Sequence, residues 1–339
     1  MTGLFVNLLT WINKLVGNYG WSIVVFTLLI RLVLLPLDIK SKKSMRAMTK
    51  IQPKVQALQK KYANDKEKLN QKTMELYRKE HVSPTAGCLP MLISLPILWI
   101  MFSAMRTLGN EYTIQMLLDM KETGKSLSLV DLKSAGYSWL WIKNVFQPDS
   151  FFATILPAVG SNLRMIQPVK SSAILTAENI NAALEFLKSS EYSALAANLI
   201  PAAAFTVQPL HFLFINTVLT LPNSMANLFQ YGNGLFILPL LAGGSQFLMT
   251  KIMNGKKTPE QKEMEQAQQG ADQTNPMNSP VMKWFFPLFS VWICATSNAA
   301  FSIYWMAANV IQIVQQMAVN AWFERQDAKA AALEPETDE

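Results

Sequence analysis

Long apolar runs alternate with polar segments along the chain, and five of the runs approach the length of a membrane-spanning helix. These predicted spans cover residues 21–37, 87–108, 234–253, 280–295 and 299–322. A helix rises about 1.5 Å per residue, so about 20 apolar residues cross the roughly 30 Å hydrocarbon core of a bilayer. The pattern therefore predicts an all-α membrane protein with five transmembrane helices.

Two further helical segments are predicted beside the first span. Residues 1–20 place apolar side chains at helical spacing, which favours an amphipathic helix on the membrane surface over a simple extension of the first span. Residues 38–86 are rich in Lys and Arg and are predicted to form a helical hairpin. Its two helices are Asp38–Tyr62 and Asp65–Glu80.

The region between the second and third spans, residues 109–233, carries an insert with two predicted helical elements. Residues 176–199 have the pattern of an amphipathic helix, with Asn179 or Glu178 near its start. Residues 201–221 are apolar over a membrane-spanning length. A sixth span there would move the next polar loop to the outside, so we expect an exported or interfacial helical element instead.

The distribution of charge predicts the topology. Charged residues make up 16% of the chain, against about 25% in a typical soluble domain, and the formal net charge is +7. Lys and Arg are concentrated in residues 38–86, so the positive-inside rule places this hairpin in the cytoplasm. The N-terminus then lies on the outer side of the membrane. The loop 254–279 and an acidic tail at 323–339, expected to be disordered, lie inside. This placement accounts for the net charge without a nucleic-acid partner.

No chemistry-bearing motif accompanies this pattern. Cys88 and Cys294 lie far apart in apolar stretches, and His81 and His211 have no second ligand at metal spacing. Neither a His-Glu-x-x-His nor a Gly-x-Ser-x-Gly motif is present, and no pair of mid-span aspartates occurs. We therefore predict no metal site, no cofactor and no enzymatic activity.

Arg31 interrupts the first predicted span. A charge near the centre of a span costs about 2.5–3.5 kcal/mol, and arginine does not escape this cost by losing its proton. The side chain either snorkels to the cytoplasmic end, about 9 Å away at Leu37, or faces a hydrated cavity open to the cytoplasm. Because no other predicted span contains an acidic partner, we favour the cavity.

The cytoplasmic hairpin has a thin apolar face that carries methionines. Its residues predicted to contact clients or partners are Met45, Met48, Ile51, Met74 and Tyr77. Methionine adapts to irregular surfaces, so such a face suits varied partners. The alternative is a hairpin that packs on itself and binds anionic lipid head groups, and the two roles are compatible.

An ordered series of short motifs resembles the YidC-type membrane-protein insertases, in the short form found in Gram-positive bacteria. The series reads IRLVLLPL at 30–37, KSMRAM at 43–48, IQPK at 51–54, LQKKY at 58–62, LYRKE at 76–80 and AGCLPML at 86–92. It continues with LPLLAG at 238–243 and Tyr304-Trp305 followed by Asn309 and Gln312. The resemblance covers about residues 20–108 and 234–322.

The resemblance implies five spans that enclose a hydrophilic groove, open to the cytoplasm and to lipid and closed on the outer side. It implies that Arg31 makes this groove positive and that Tyr304 and Trp305 line it. The implied activity is that of an insertase and folding chaperone. The implied partners are nascent membrane proteins and the Sec translocon, with the signal recognition particle pathway and the ribosome as further candidates.

The chain also departs from the family's pattern. Glutamines are usual near positions 94 and 249–250, where this chain has Ser94, Met249 and Thr250. Gln246 lies about one turn away and is the expected substitute in the groove lining. Because the tail is acidic, direct ribosome docking through it is not predicted.

Two rival functions use the same predicted spans. A transporter or channel is disfavoured because paired intramembrane charges and an inverted repeat are both missing from the sequence. An assembly partner that inserts nothing would share most of these features, and only a measured activity separates it from an insertase.

Overall fold

The computed structural model describes residues 2–81, 89–157, 166–170, 172–212, 215–253 and 280–331. The chain divides into two compact units, one formed by Met1–Leu28 with Met101–Glu339 and the other by Leu29–Ile100. The predicted loop 254–279 lies outside the described residues. Each predicted span, over its described part, falls within one helix or begins just before it. The chain is mostly helical, as expected.

Helix α1 (Thr2–Val16) and helix α2 (Tyr19–Lys61) are separate helices. Gly17 ends α1 with a φ of 73°, a left-handed conformation that glycine adopts without steric cost. The side chain of Asn18 then accepts the backbone N–H of Trp21 at 3.2 Å and so caps α2. This break excludes the alternative in which α1 extends the first span. The interfacial position of α1 stays a prediction.

Helix α2 runs without interruption from the first predicted span into the hairpin. Pro36 lies inside it, where a proline removes one backbone hydrogen bond and often ends a helix. The sequence predicted that the first hairpin helix begins at Asp38, but the helix of the first span continues through this position without a break. The turn before α3 (Lys66–Lys79) lies where the sequence predicts it. Asp65 caps α3 by accepting the N–H of Lys68 at 3.0 Å.

Helix α4 (Leu89–Thr123) continues well beyond the predicted end of the second span at residue 108. Its second half packs against α6 (Ala177–Leu187) and α7 (Ser190–Leu199). The shared core contains Ile114, Leu117, Met120, Ile180, Ala183, Phe186 and Leu187, all buried. A short capped helix, α5 (Leu129–Ser134), follows α4, and hydrogen bonds from Ser128 lower the pKa of Asp131 in its first turn.

The amphipathic helix predicted over residues 176–199 is in fact two helices. Thr176 caps α6 by accepting the N–H of Asn179, so the cap lies before the residues that the sequence favoured. Ser189 interrupts the pattern and caps α7 by accepting the N–H of Tyr192 at 3.0 Å. A serine hydroxyl bonds the orphan N–H groups of a new helix well, which explains the break.

Residues 201–221 are not the helical element that the sequence predicted. They form a short 3₁₀ turn at Ala202–Ala204 and most of an antiparallel β-hairpin of β1 (Phe205–Phe212) and β2 (Ile215–Pro222). The register pairs Phe205 with Pro222 and Phe212 with Ile215. β-Branched and aromatic residues are frequent here, and Pro209 would break a helix. The fold class all-α is therefore corrected by one hairpin.

Helix α8 (Met225–Tyr231) connects the hairpin to a three-helix bundle. The bundle consists of α9 (Ile237–Met253), α10 (Pro280–Thr296) and α11 (Ala299–Ala331), and α9 packs against both of the others. Helix α11 extends beyond the predicted end of the last span at Trp322. Residues 323–331 are thus helical where the sequence predicted a disordered tail, and residues 332–339 lie outside the described part of the chain.

Apolar side chains cover the outer surfaces of these helices. Among the described residues, α2 alone meets a test of length and apolar composition for a membrane-crossing helix, over Tyr19–Ser44, and shorter apolar stretches lie in α1, α9 and α10. Leu240, Phe247 and Leu248 on α9 are exposed, as are Trp284, Leu288 and Trp292 on α10. Such a surface is typical of helices that contact lipid.

A glycine allows α9 and α10 to pack closely. A Cβ atom added at Gly243 would collide with Cγ2 of Val291 and lie 3.2 Å from the carbonyl oxygen of Pro287. At the neighbouring Gly244 an added Cβ would meet nothing within 4 Å. Small residues at helix contacts are the usual means of close approach between membrane helices.

We predict that Gly243→Leu destabilises the protein by about 1–3 kcal/mol, because the added side chain forces α9 away from α10. Gly244→Leu is the matched control and should change stability little, since its side chain enters open space. Thermal unfolding in detergent, followed by tryptophan fluorescence, measures both. Equal midpoints for the two variants would contradict the close contact.

Candidate functional site

Helix α11 carries a polar stripe along one face. The stripe consists of Ser302, Trp305, Asn309, Gln312, Gln316 and Asn320. At 3.6 residues per turn these positions fall within about 80° of the helix circumference. Ser302 and Asn309 are buried, and the other four are half-buried. Polar residues within membrane helices normally face a protein interior or a water-filled cavity, so the stripe is the first candidate for a functional surface.

Helix α9 contributes polar groups to the same bundle. Nδ2 of Asn309 donates to Oγ of Ser245 at 3.1 Å, and this bond links α11 to α9. Gln246 is half-buried, and its backbone carbonyl accepts the hydroxyl of Thr250 at 2.9 Å. The side chains of Ser245 and Gln246 lie on a different face of α9 from the exposed Phe247 and Leu248. The predicted lining residue Gln246 is therefore on the inward part of α9.

Tyr304 and Trp305 lie at the start of the stripe. Tyr304 is buried, and the ring centroid of Trp305 is 5.5 Å from that of Phe301. Nε1 of Trp305 is buried and has no hydrogen-bond partner among the described residues. An indole N–H without a partner in an apolar interior costs free energy unless water or a ligand reaches it. This atom is therefore an available donor inside the bundle.

The remaining surface of α11 has the opposite character. Val310, Val314 and Met317 are all exposed and lie on a different face from the polar stripe. Between residues 302 and 320 the helix thus has an apolar face suited to lipid and a polar face suited to water or protein. This contrast allows each face to be tested by substitutions at neighbouring positions.

A loop at one end of the bundle holds the starts of α9 and α11 together. This platform loop comprises residues 137–149. The carboxylate of Asp149 is fully buried and accepts the backbone N–H groups of Phe236 at 2.9 Å and Leu238 at 2.7 Å, at the start of α9. The carbonyl oxygens of Gln147 and Val145 accept the first N–H groups of α11, at 2.9 and 2.7 Å. Both helix starts are therefore satisfied by one loop.

Two asparagines complete this end of the molecule. Asn298 caps α11 by accepting the N–H of Phe301 at 3.0 Å, and its Nδ2 donates to the carbonyl of Met105 in α4. Asn233 is fully buried. Its Nδ2 donates to the carbonyls of Asn144, Gln147 and Pro148, at 2.8, 3.0 and 3.0 Å. Asn298 therefore joins α11 to α4, and Asn233 joins the segment before α9 to the platform loop.

Four aromatic rings pack together at the same end of the molecule. Tyr19, Tyr112, Tyr137 and Phe146 stack edge to face or in parallel, with ring centroids between 4.5 and 5.7 Å apart. They join the start of α2 and the middle of α4 to the platform loop. Burial raises the pKa of Tyr112 to about 12, so its hydroxyl stays neutral. Tyr19 and Phe146 are buried in this cluster, whereas Tyr112 and Tyr137 are half-buried.

Arg31 belongs to the other compact unit and is half-buried on α2. Asp38 and Lys42 follow at spacings of 7 and 11 residues, so all three lie on one face of the helix. Asp38 interacts electrostatically with both Arg31 and Lys42. Asp38 was not predicted as a partner of Arg31, because it lies just outside the predicted first span. The groove predicted to join Arg31 with Gln246, Tyr304 and Trp305 stays a prediction.

The predicted contact residues of the helical hairpin are only partly described. Ile51 is buried, Met74 is exposed and Tyr77 is half-buried, whereas the side chains of Met45 and Met48 lie outside the described part. Nζ of Lys54 forms an ion pair with Oε1 of Glu80 at 2.6 Å, which joins α2 to α3 and lowers the pKa of Glu80. Of the three predicted contact residues whose side chains are described, Met74 is the most exposed.

Several residues of this end escaped the reasoning from sequence. Asp149, Asn233 and Asn144 looked like ordinary polar residues of a connecting region. The sequence does contain one signal for Asp149. It is the one acidic residue between Trp141 and Phe151, and Lys143 is the last charged residue before it. Within the described residues, no three His, Cys, Asp or Glu side chains come together as a metal site would require.

The sequence matches one protein family over most of its length. The family model described as "60Kd inner membrane protein" matches residues 11–327. The match includes α2 to α11 and therefore both the polar stripe and the platform loop.

Individual relatives match shorter parts of the chain. A protein of Fusobacterium nucleatum named "Membrane protein insertase YidC" is 39% identical over 160 residues, which is 47% of this chain and 65% of the relative. A protein of the same name from Caldanaerobacter subterraneus is 50% identical over 100 residues, covering 30% of this chain and 48% of the relative. A protein of the same name from Bordetella petrii is 36% identical over 154 residues, covering 45% of this chain and 23% of the relative. The matched part of the chain thus spans less than two thirds of each relative.

We predict that Asp149→Ala destabilises the protein by about 1.5–3 kcal/mol per charged hydrogen bond lost, because two N–H groups of α9 lose their acceptor. Asp149→Asn keeps one acceptor oxygen and should have a smaller effect. Glu185→Ala, at an exposed position on α6, is the control and should change stability by less than about 0.5 kcal/mol. Chemical denaturation in detergent gives the three values. A neutral Asp149→Ala would show that the loop does not hold α9.

Proposed function

Because the chain belongs to the 60Kd inner membrane protein family, we propose that it is a membrane-protein insertase. It moves transmembrane segments of newly made proteins from the cytoplasmic side into the bilayer, alone or with the Sec translocon, and assists their folding. Its relatives are named for this activity. In this proposal it spans the plasma membrane five times, with the part of α2 after residue 37 and α3 in the cytoplasmic hairpin and the platform loop outside.

The observation that carries the proposal is the polar stripe of α11 together with its partners on α9. A row of polar side chains beside apolar helix faces would offer a client's polar tail hydrogen-bonding groups within the bilayer. The unpartnered N–H of Trp305 is one such donor. In this proposal the platform loop closes the outer end, and the polar surface is open towards the cytoplasm and towards lipid. This arrangement suits an insertase better than a channel.

The proposed mechanism uses no covalent step. The costly part of insertion is the passage of the client's polar exported tail through hydrocarbon, where unsatisfied polar groups cost several kcal/mol each. The wet polar surface shortens the apolar path. Arg31 attracts an acidic residue of the tail for a short time, and Asp38 on the same face keeps this attraction moderate. The client's apolar helix then moves sideways into lipid, which releases hydrophobic free energy.

The main alternative is a non-inserting assembly partner in the same membrane. The exposed Met74 and the basic surface of the hairpin suit protein and anionic lipid contacts in either case. A transporter or channel is a further alternative, for which specific binding of a small solute would be decisive. Measured insertion separates all three.

We predict that the purified protein in liposomes protects the exported tail of a single-span client from added protease, well above empty liposomes. The client carries a short acidic tail. Arg31→Ala should reduce insertion several-fold, because the tail loses its attracting charge, and Arg31→Lys should retain most of it.

Arg106→Ala is the matched control, since it removes an arginine near the predicted outer end of the second span and should insert normally. If the wild type inserts nothing, the insertase proposal fails. If Arg31→Ala and Arg106→Ala behave alike, Arg31 has no special part in the mechanism.

A further inference from the structure

A long uncharged segment begins within the region between α4 and α9. Residues 192–250 contain no Asp, Glu, Lys or Arg, although residues 109–191 contain both signs of charge throughout. The uncharged segment includes the 3₁₀ turn, the β-hairpin and α8, and then most of α9. We call residues 201–231 the hairpin module. Its composition resembles that of the adjacent membrane helix more than that of the charged helices α5 and α6.

The hairpin module exposes large apolar side chains. Val207 on β1 is 57% exposed, and Met225 and Phe229 on α8 are 63% and 58% exposed. Clusters of exposed apolar residues on a protein surface mark contact with lipid or with another protein. An isolated two-stranded hairpin is marginally stable in water, so this one needs a covering surface.

The hairpin module is fixed to the outer end of the bundle. The side chain of Asn223 accepts the hydroxyl of Thr206 at 2.5 Å and donates to the carbonyl of Ala203 at 2.7 Å, which joins β1 to the start of α8. Nζ of Lys143 in the platform loop donates to the carbonyls of Phe229, Gln230 and Gly232, at 2.7, 2.9 and 3.0 Å. The module therefore cannot swing freely away from the platform loop.

The connection to α9 is short. Helix α8 ends at Tyr231 and α9 begins at Ile237, and a chain of this length reaches at most about 20 Å. Asn233 and Asp149 hold this connection in place. Because α9 enters the membrane within a few residues, the module lies next to the bilayer surface.

We propose that the hairpin module lies in the outer-leaflet interface of the bilayer, with Val207, Met225 and Phe229 against lipid. A two-stranded sheet has N–H and C=O groups on its open edges, which hydrocarbon cannot satisfy, so the module stays at head-group depth and does not cross. The lack of charge removes the cost of bringing Asp, Glu, Lys or Arg to that depth. The inference rests on the membrane position of α9 and is independent of insertion activity.

Depth-dependent fluorescence quenching tests this proposal in the full chain. Single cysteines are introduced by Val207→Cys, Met225→Cys and Phe229→Cys in a Cys88→Ser, Cys294→Ala background. They are labelled with an environment-sensitive dye in phosphatidylcholine–phosphatidylglycerol vesicles. Lys188→Cys, at an exposed position at the end of α6, is the matched control. All four sites are surface positions, so the labels should leave the fold intact, and tryptophan fluorescence checks this.

We expect lipids that carry a spin label near the head group to quench the dye at the three module sites several-fold more than at Lys188. A spin label at the chain end should quench less, because the module does not enter the hydrocarbon centre. Quenching no stronger than at Lys188 would overturn the proposal. In native membranes, a photo-crosslinker at Met225 should capture lipid, and capture of a protein instead would show that the module is a protein-docking surface.

Discussion

The bonds between the platform loop and the helix starts constrain the rest of the structure. Helices in a bilayer satisfy their own backbone except at their ends, where the first N–H groups need other acceptors. Here Asp149 supplies them for α9, the carbonyls of Gln147 and Val145 supply them for α11, and Asn298 ties α11 to α4. These hydrogen bonds therefore fix one end of the bundle, and a cluster of aromatic rings lies beside them.

The hydrogen bonds of the polar stripe depend on what its side chains can reach. A row of amides in membrane helices is costly unless the groups bond to each other or to water. Asn309 bonds to Ser245, but the indole N–H of Trp305 has no partner in the described chain. In the proposed function, water reaches the stripe from the end opposite the platform loop, which the proposal assigns to the cytoplasm. Asymmetric hydration of this kind is what an insertase needs and what a through-channel would lack.

The sequence predicted the main helices because their signals are long and local. Apolar runs marked the cores of α2, α4, α9, α10 and α11, and the basic residues marked the hairpin. The ordered motifs predicted the family. Prediction failed where tertiary bonds or competing propensities decide. Pro36 did not end α2, Ser189 divided a periodic helix, and residues 205–212 and 215–222 form strands. The platform bonds of Asp149 and Asn233 join residues far apart in the sequence, so no local pattern announced them.

The most direct test of the account is the accessibility to water of two adjacent positions on α11. Gln316→Cys and Met317→Cys, each without the native cysteines, are treated with a membrane-impermeant maleimide from the side of the helical hairpin. In the protein without lipid, the side chain of Met317 is 59% exposed and that of Gln316 is half-buried, but Met317 lies on the apolar face of α11. The account predicts rapid labelling at position 316 and slow labelling at 317. Equal or reversed rates would contradict a water-filled polar surface in the bundle.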